Sequence, residues 1–282
     1  MKRQMSFKEN NAKIYLVATP IGNLKDITYR AIETLKMVDL IYCEDTRTSS
    51  KLLNHYDIKK PLKSVHLFNE ADIASEIINT VKNGQNVAII SDAGLPIISD
   101  PGSIVVKAAK EVGIDVVTIP GPTASLTALV ASGLPSKKFY FVGFLNHKKT
   151  KKKEELKALI NFQETIILYE APHKLKDTLE VIDELFGDRR IVIARELTKL
   201  HEEYLTGTAK EMLNEIETIK GEIVILIEGA TEETTYVDLN DLSIEEHYNH
   251  YINQGVNSKD ALGLVAKDRS ISKKEVYNTI KK

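Results

Sequence analysis

Short, nearly unbroken apolar runs, each followed by a helical pattern, constrain this chain more than any other feature. "KIYLVATP", "DLIYCE", "NVAII" and "DVVTI" lack the polar–apolar alternation of a half-solvated sheet. Strands of that kind are buried on both faces, which calls for a parallel sheet with helices above and below it. The intervening segments have helical spacing. "TYRAIETLKMV" takes Asp26 or Thr28 as its N-cap, and "TRTSSKLLNHY" follows the second strand. "KSVHLF" is a short strand, "ADIASEIINTVKNG" a helix stopped at Gly84, and "GSIVVKAAKEVG" a helix stopped at Gly113. "TASLTALVASG", a helix of small residues, closes this first α/β unit, residues 13–135, which a polar extension at 1–12 precedes.

A second α/β unit spans 136–230. "FYFVGFL" is a strand, then come a lysine-rich loop, the helix "EELKALI", the strand "TIILYE" and the helix "HKLKDTLEVIDELFG". Only a few residues around "LTKLH" separate the strands "RIVIARE" and "EEYLTGT", too few for a crossover, so this pair is antiparallel and the second sheet mixed. The helix "AKEMLNEIETIK" and the strand "EIVILIEG" complete it. Residues 231–282 form a polar linker and a helical segment, "SKDALGLVAKDRSISKKEVYNTIKK", which reads as helix, turn, helix.

A chain of 282 residues exceeds one average core, in agreement with this division. Net charge is −2, so a nucleic-acid partner has to be held by local basic patches rather than by the global field. Cys43 is the single cysteine, which excludes an intramolecular disulfide and a cysteine metal cluster; at the end of an apolar strand it reads as a packed residue. No apolar run reaches the roughly 20 residues of a membrane span. The polar start has no signal-peptide core, and the expected location is the cytoplasm.

The prolines then locate a binding surface. Pro20, Pro96, Pro101, Pro120, Pro122 and Pro172 follow closely on predicted strands, six of the eight in the chain. In parallel sheets one rim collects the strand ends, and ligands bind in the crevice there. Proline stops these loops from running directly into helices, and neighbouring glycines allow close backbone approach to a ligand. No G-x-G-x-x-G or G-x-x-x-x-G-K-[ST] occurs, which argues against a dinucleotide or triphosphate cradle. Asp92 and Asp100 in "SDAGLPIISDPG" can hold a magnesium ion, cap a helix, or bind a hydroxyl or ammonium group. Such a rim suits a small ligand with ribose hydroxyls and a positive charge.

"SDAGLPIISDPG", preceded by "YLVATPIGNL" and "CEDTR" and followed by "IPGPTASLTAL", "FVGFL", "YEAPHKL" and "ARELTKLHEEYLTGT", resembles the ribosomal RNA small subunit methyltransferase I family of the tetrapyrrole methylase superfamily. The resemblance runs in order from Lys13 to Gly229. It implies S-adenosylmethionine in a cleft between two α/β domains. It further implies methyl transfer to the ribose 2′-oxygen of a cytidine in the decoding region of 16S ribosomal RNA, on the assembled small subunit, by a homodimer. The implied cofactor contacts are Pro20, the turn Asp92, Ala93, Gly94, Leu95, the turn Thr123, Ala124, and Tyr169, Ala171 and Pro172.

Methyl transfer from a sulfonium is an in-line displacement, and a ribose hydroxyl is a poor acid that benefits from a base. The candidate bases are Glu44, Asp45, Glu170 and His173, with Glu196 a further acidic side chain. Asp45 is equally placed to cap a helix, Glu170 to be a solvated strand end, and His173 to start a helix. Arg47, Lys174 and Arg195 are candidate phosphate contacts, as are Lys148, Lys149, Lys151 and Lys152 in "HKKTKKKEE", which otherwise form a solvated loop. Lys267, Arg269, Lys273 and Lys274 put charge near the C-terminal turn, where RNA contact and a bracing role both remain open. The histidines show no metal-ligand spacing. Of the two loop aspartates, Asp92 is the better cofactor contact, whereas Asp100, before Pro101 and the next helix, is equally placed to be a cap that holds the loop in shape. Two other functions fit the same cleft: C-methylation of a tetrapyrrole, and non-catalytic binding of a metabolite or RNA.

Overall fold

The computed structural model describes residues 3–8, 11–65, 70–215, 217, 219–231, 239, 242–253 and 255–281. The chain divides into two compact units, Met1–Ala230 and Thr231–Lys282. The first unit holds both sheets.

The first sheet is wholly parallel, in the order β3-β2-β4-β1-β5. Its strands are β1 (Ile14–Val17), β2 (Leu40–Cys43), β3 (Leu62–Ser64), β4 (Val87–Ile89) and β5 (Val116–Ile119). Helices α1 (Tyr29–Met37), α2 (Thr46–His55), α3 (Glu70–Lys82), α4 (Ser103–Glu111) and α5 (Ala124–Ala131) follow them in turn. Thr28, not Asp26, caps α1 through the Ala31 amide. Alternate strand residues feed opposite faces. Ile14, Leu16, Leu40, Tyr42, Val87 and Ile89 pack one core; Val17, Ile41, Cys43 and Ala88 pack another with Leu35 of α1 and Leu53 of α2. Burial on both faces is why these strands read as continuous apolar runs. Cys43 is fully buried in that second core, which pushes its thiol pKa up. Of the expected strand "KSVHLF", His66 to Phe68 lie outside the described residues.

The second sheet runs β6-β7-β10-β8-β9, from β6 (Phe139–Phe144), β7 (Thr165–Glu170), β8 (Ile191–Arg195), β9 (Glu203–Gly207) and β10 (Ile223–Ile227). Only β6 and β7 are parallel; the other pairs are antiparallel, so the sheet is mixed. Ile223, Ile225 and Ile227 face a core with α6 (Lys149–Lys157), α7 (Leu175–Phe186) and α8 (Ala209–Asn214). Val224 and Leu226 face the other way, onto Ala128 and Leu129 of α5 and Ile21. One face of this sheet is thus covered by a helix and a loop of the first domain, and that joint fixes the two sheets against each other.

The helix α6 already begins at Lys149, where a lysine-rich loop was expected before "EELKALI". Lysine has good helix propensity, and the Asn146 side chain accepts from the Lys148 amide at the helix start, 3.0 Å. In the C-terminal unit α9 (Ile244–Asn253), α10 (Ser258–Asp268) and α11 (Lys273–Ile280) pack around Val265, Ala266 and Val276. Arg269 is a brace rather than an outward charge: its guanidinium donates to the carbonyls of Leu239 and Leu242 and to Nδ1 of the buried His247. The expected linker falls mostly on 232–238, outside the described residues.

Candidate functional site

The C-terminal rim of the first sheet faces one end of the second, and a cavity of about 390 Å³ lies between them. The loop after β4 supplies Ala93, Gly94, Leu95 and the stretch Ile98–Asp100; the start of α5 supplies Thr123 and Ala124. Across from them stand Phe144, the turn Tyr169–Pro172, Leu197 and Glu222–Val224.

The first-sheet wall is pinned by its backbone. The Thr19 and Gly94 amides exchange hydrogen bonds at 2.8 and 3.1 Å, tying the loop after β1 to the loop after β4. The Thr19 hydroxyl donates to the Ser91 carbonyl at 3.1 Å. The loop then enters left-handed conformation at Gly94, Ile97, Ser99 and Gly102, with φ of 79°, 79°, 67° and 126°. A β-branched residue such as Ile97 rarely adopts that geometry, and its occurrence beside a cavity is strain held by surrounding contacts. One of those contacts comes from β6. Its register shifts between Phe141 and Gly143, and a Cβ on Gly143 would stand 2.9 Å from the Ser99 hydroxyl.

The opposite wall is held by side chains. Glu170 ends β7 with its carboxylate buried. One oxygen accepts from the Lys152 ammonium at 3.1 Å and from the Thr178 hydroxyl; the other accepts from the Ala171 amide at 2.8 Å. Lys152 is only 2% exposed. The Tyr169 hydroxyl accepts from the Ser125 amide at 3.2 Å, and its ring meets Phe144 edge-on at 5.5 Å.

Two expectations are corrected by this geometry. Lys152 is not an RNA-facing lysine, because it is buried against Glu170. Glu170 is not a solvated strand end with a carboxylate open to a substrate proton; its oxygens are already occupied by an ammonium, a hydroxyl and an amide. The other expected residues sort by position. Ala93, Gly94, Leu95, Thr123, Ala124, Tyr169, Ala171 and Pro172 line the cavity. Pro20 is buried beside it, and its neighbour Ile21 takes the wall. Asp92 is exposed and off the wall; its carboxylate accepts from the Asp45 amide at 3.2 Å, joining two rim loops. Asp45 caps α2 and pairs with Arg47, whose guanidinium holds the carboxyl down at about 2, too acidic for a base at neutral pH.

His173 is exposed and outside the cavity lining. Lys174 bonds His147 at 2.6 Å, Lys149 pairs with Glu180, and Arg195 pairs with Glu203. Lys148 and Lys151 are exposed on α6 and its cap. Glu196, at a φ of 50°, accepts from Lys199 and from the Glu222 amide, so it holds the loop that carries Leu197.

Of the two readings open for Asp100, cap or ligand contact, the structure favours the second: Asp100 is on the wall. Gly102 occupies the cap position of α4, and the buried Glu70 accepts from the amides of Gly102 and Ile104 at 2.9 and 2.7 Å. Burial, then the neighbouring Glu44 and Asp92 charges, push the Asp100 carboxyl up to about 6. Phe144, Leu197 and Glu222 were missed. Glu222 reaches the rim because β10 runs antiparallel to β7, opposing Ile223 to Glu170; strand direction is not written in "EIVILIEG".

Among the described residues the lining contains no lysine, arginine or histidine, although Lys199 behind it pairs with Glu222. It combines an apolar interior, two aromatic rings and acidic groups at Asp100 and Glu222. That donor set fits a cationic ligand with an aromatic ring and no phosphate, which S-adenosylmethionine is. Just before the Thr123 turn, a Cβ on Gly121 would meet the Ala18 Cβ at 2.7 Å, so the loops after β5 and β1 pack closely only with glycine there.

Residues 13–213 match the family described as Tetrapyrrole (Corrin/Porphyrin) Methylases, which defines the class as methyltransferases. Among solved structures, diphthine synthase superposes with a TM-score of 0.63 over 78% of this chain and 91% of its own, at 14% identity, a likeness of fold. Ribosomal RNA small subunit methyltransferase I of Bacillus subtilis (strain 168) is 49% identical over 99% of this chain and 98% of its own. The protein of that name from Halalkalibacterium halodurans is 46% identical over 99% and 98%. The chain belongs to the ribosomal RNA small subunit methyltransferase I family of the tetrapyrrole methylases.

Proposed function

We propose that this protein methylates the ribose 2′-hydroxyl of a cytidine in the decoding region of 16S ribosomal RNA, on the assembled small subunit, with S-adenosylmethionine as donor. The observation that carries the reading is near-full-length identity of 49% to a protein named for ribosomal RNA small-subunit methylation. The partly acidic cavity supports the donor. When bound, S-adenosylmethionine supplies an electrophilic methyl group on a positively charged sulfur. Ala93–Leu95, Thr123, Ala124, Tyr169, Ala171 and Pro172 would hold it. The aromatic pair Tyr169–Phe144 and the apolar interior exclude water, and orientation of this kind accounts for several kcal/mol of a displacement barrier, up to about 7–11 in model systems.

The RNA would be held by Lys148 and Lys151, with Lys174 near the Pro172 turn and Arg47 at the head of α2. These charges neutralise phosphates without reading sequence. The family resemblance supports a homodimer acting in the cytoplasm. Labelled S-adenosylmethionine offered with unmodified small subunits, with free 16S RNA and with a porphyrinogen tests the reading. Label on the small subunit is expected. Label on the porphyrinogen alone would make the protein a tetrapyrrole methylase in activity as well as fold. Label nowhere, with the donor still bound, would make it a binding module.

A further inference from the structure

We propose that Asp100 is the proton acceptor for the attacking hydroxyl, an inference that rests on the proposed ribose methylation. Three observations carry it. The first is elimination along the wall. The acidic side chains that line the cavity are Asp100, Glu170 and Glu222. Glu170 has its oxygens filled by Lys152, Thr178 and the Ala171 amide. Glu222 takes the Lys199 ammonium at 3.0 Å and is 71% exposed. Asp100 forms no ion pair among the described residues.

The second is release from the structural task this position ordinarily has. An aspartate just before "PGS" at a helix start is a natural cap, yet Glu70 reaches across from α3 and takes the amides of Gly102 and Ile104. The third is placement. Left-handed residues at Ile97 and Ser99 immediately before Asp100, with the β6 bulge packed against Ser99, turn the loop back toward the cavity. Strain of that kind persists where the surroundings over-determine a position, and here it sets a carboxylate on the wall.

The charges that act on Asp100 are Glu44, just after β2, and Asp92, after β4, with the Ser91 hydroxyl bonded to its carboxyl. Glu70 of α3 is engaged by the Gly102 and Ile104 amides, and Tyr169, Glu170 and Glu222 of the second sheet line the same cavity. Partial burial, then the acidic neighbours, keep the proton on Asp100 up to about pH 6, and the deprotonated form then prevails at neutral pH. A base with that affinity is matched to its working pH. In the reaction the hydroxyl proton passes to the Asp100 carboxylate. The oxygen lone pair forms the new O–CH3 bond, and the S–CH3 electron pair leaves with sulfur as a neutral thioether. No oxidant, reductant or metal enters the balance.

The test compares wild type, Asp100→Asn and Asp100→Glu by donor affinity in calorimetry and by kcat against pH on unmodified small subunits. Carbon-13 NMR of the Asp100 carboxyl in the ligand-free protein is a third readout. The expected result is a carboxyl that titrates near pH 6 and an Asp100→Asn affinity within about threefold of wild type. Its kcat falls by about 10²-fold or more, with the acid limb of the profile lost and partly restored in Asp100→Glu. A large loss of donor affinity with unchanged kcat at saturation would make Asp100 a cofactor contact and overturn the proposal. So would an unchanged kcat and pH profile. An inactive wild type would overturn the ribose-methylation reading, and with it this one.

Discussion

The two walls of the cavity achieve the same rigidity by opposite means. On the first-sheet side Ile97 and Ser99 are held in left-handed backbone, Ser99 against the β6 bulge, and the Asp100 carboxylate that follows has no ion-pair partner among the described residues. On the second-sheet side the turn Tyr169–Pro172 has ordinary backbone geometry and a fully satisfied buried ion pair, Lys152–Glu170, behind it. The difference separates two ways of using an acidic residue. Glu170 is held by an ammonium, a hydroxyl and an amide and acts as structure; Asp100 has the Ser91 hydroxyl and two acidic neighbours, which is the setting of the proposed proton acceptor.

The comparison breaks most visibly at the ion pair. Lys152→Met leaves Glu170 buried without its counter-charge and should destabilise the protein by about 3–5 kcal/mol. Lys152→Met with Glu170→Gln should recover most of that in denaturant unfolding, since the penalty belongs to the unpaired charge. Equal loss in single and double variants would show that the pair contributes packing alone.

A smaller effect is expected on the other wall, with the opposite sign. The folded state holds the Asp100 proton more tightly than the unfolded chain does, so Asp100 lowers stability as pH rises from about 3.8 through about 6. Asp100→Asn should therefore be more stable than wild type above pH 6, on the order of 1–2 kcal/mol after solvent screening, and no more stable at pH 4. Equal stabilities at pH 4 and pH 7 would refute the raised carboxyl. Ser99→Gly should relieve left-handed strain and raise stability by about 0.5–1 kcal/mol while lowering kcat, because the loop then holds Asp100 less firmly. A rise in stability with kcat unchanged would show that the strain has no part in placing the carboxylate. Smallest of all, Glu44→Gln should lower the Asp100 titration midpoint by a few tenths of a unit, and Asp92→Asn by less, in carboxyl NMR. The reverse order would relocate the source of the shift.

Much of this architecture was legible in the sequence. Continuous apolar strands gave the parallel sheet, and the few residues of "LTKLH" gave the antiparallel turn between β8 and β9. The proline-marked loops gave the rim. What remained hidden depends on contacts far apart in the chain. Lysines at 149, 151, 152 and 153 look alike in sequence; only the packing of α6 against α7, beside the end of β7, buries Lys152 and leaves Lys151 in solvent. The cap reading of Asp100 stays open in the sequence because nothing local announces that Glu70, thirty-two residues before Gly102, takes that role. Helix periodicity and turn chemistry are local signals, whereas the partner of a buried charge is set by tertiary packing.

In the proposed reaction this cavity delivers a methyl group to a ribose oxygen. Small subunits lacking the modification should be treated with the protein and methyl-labelled S-adenosylmethionine, and the RNA digested to nucleosides for mass spectrometry. Wild type should place label in a single nucleoside, 2′-O-methylcytidine, and Asp100→Asn should place little. Label on a base, or on no nucleoside while the donor remains bound, would contradict the proposed reaction.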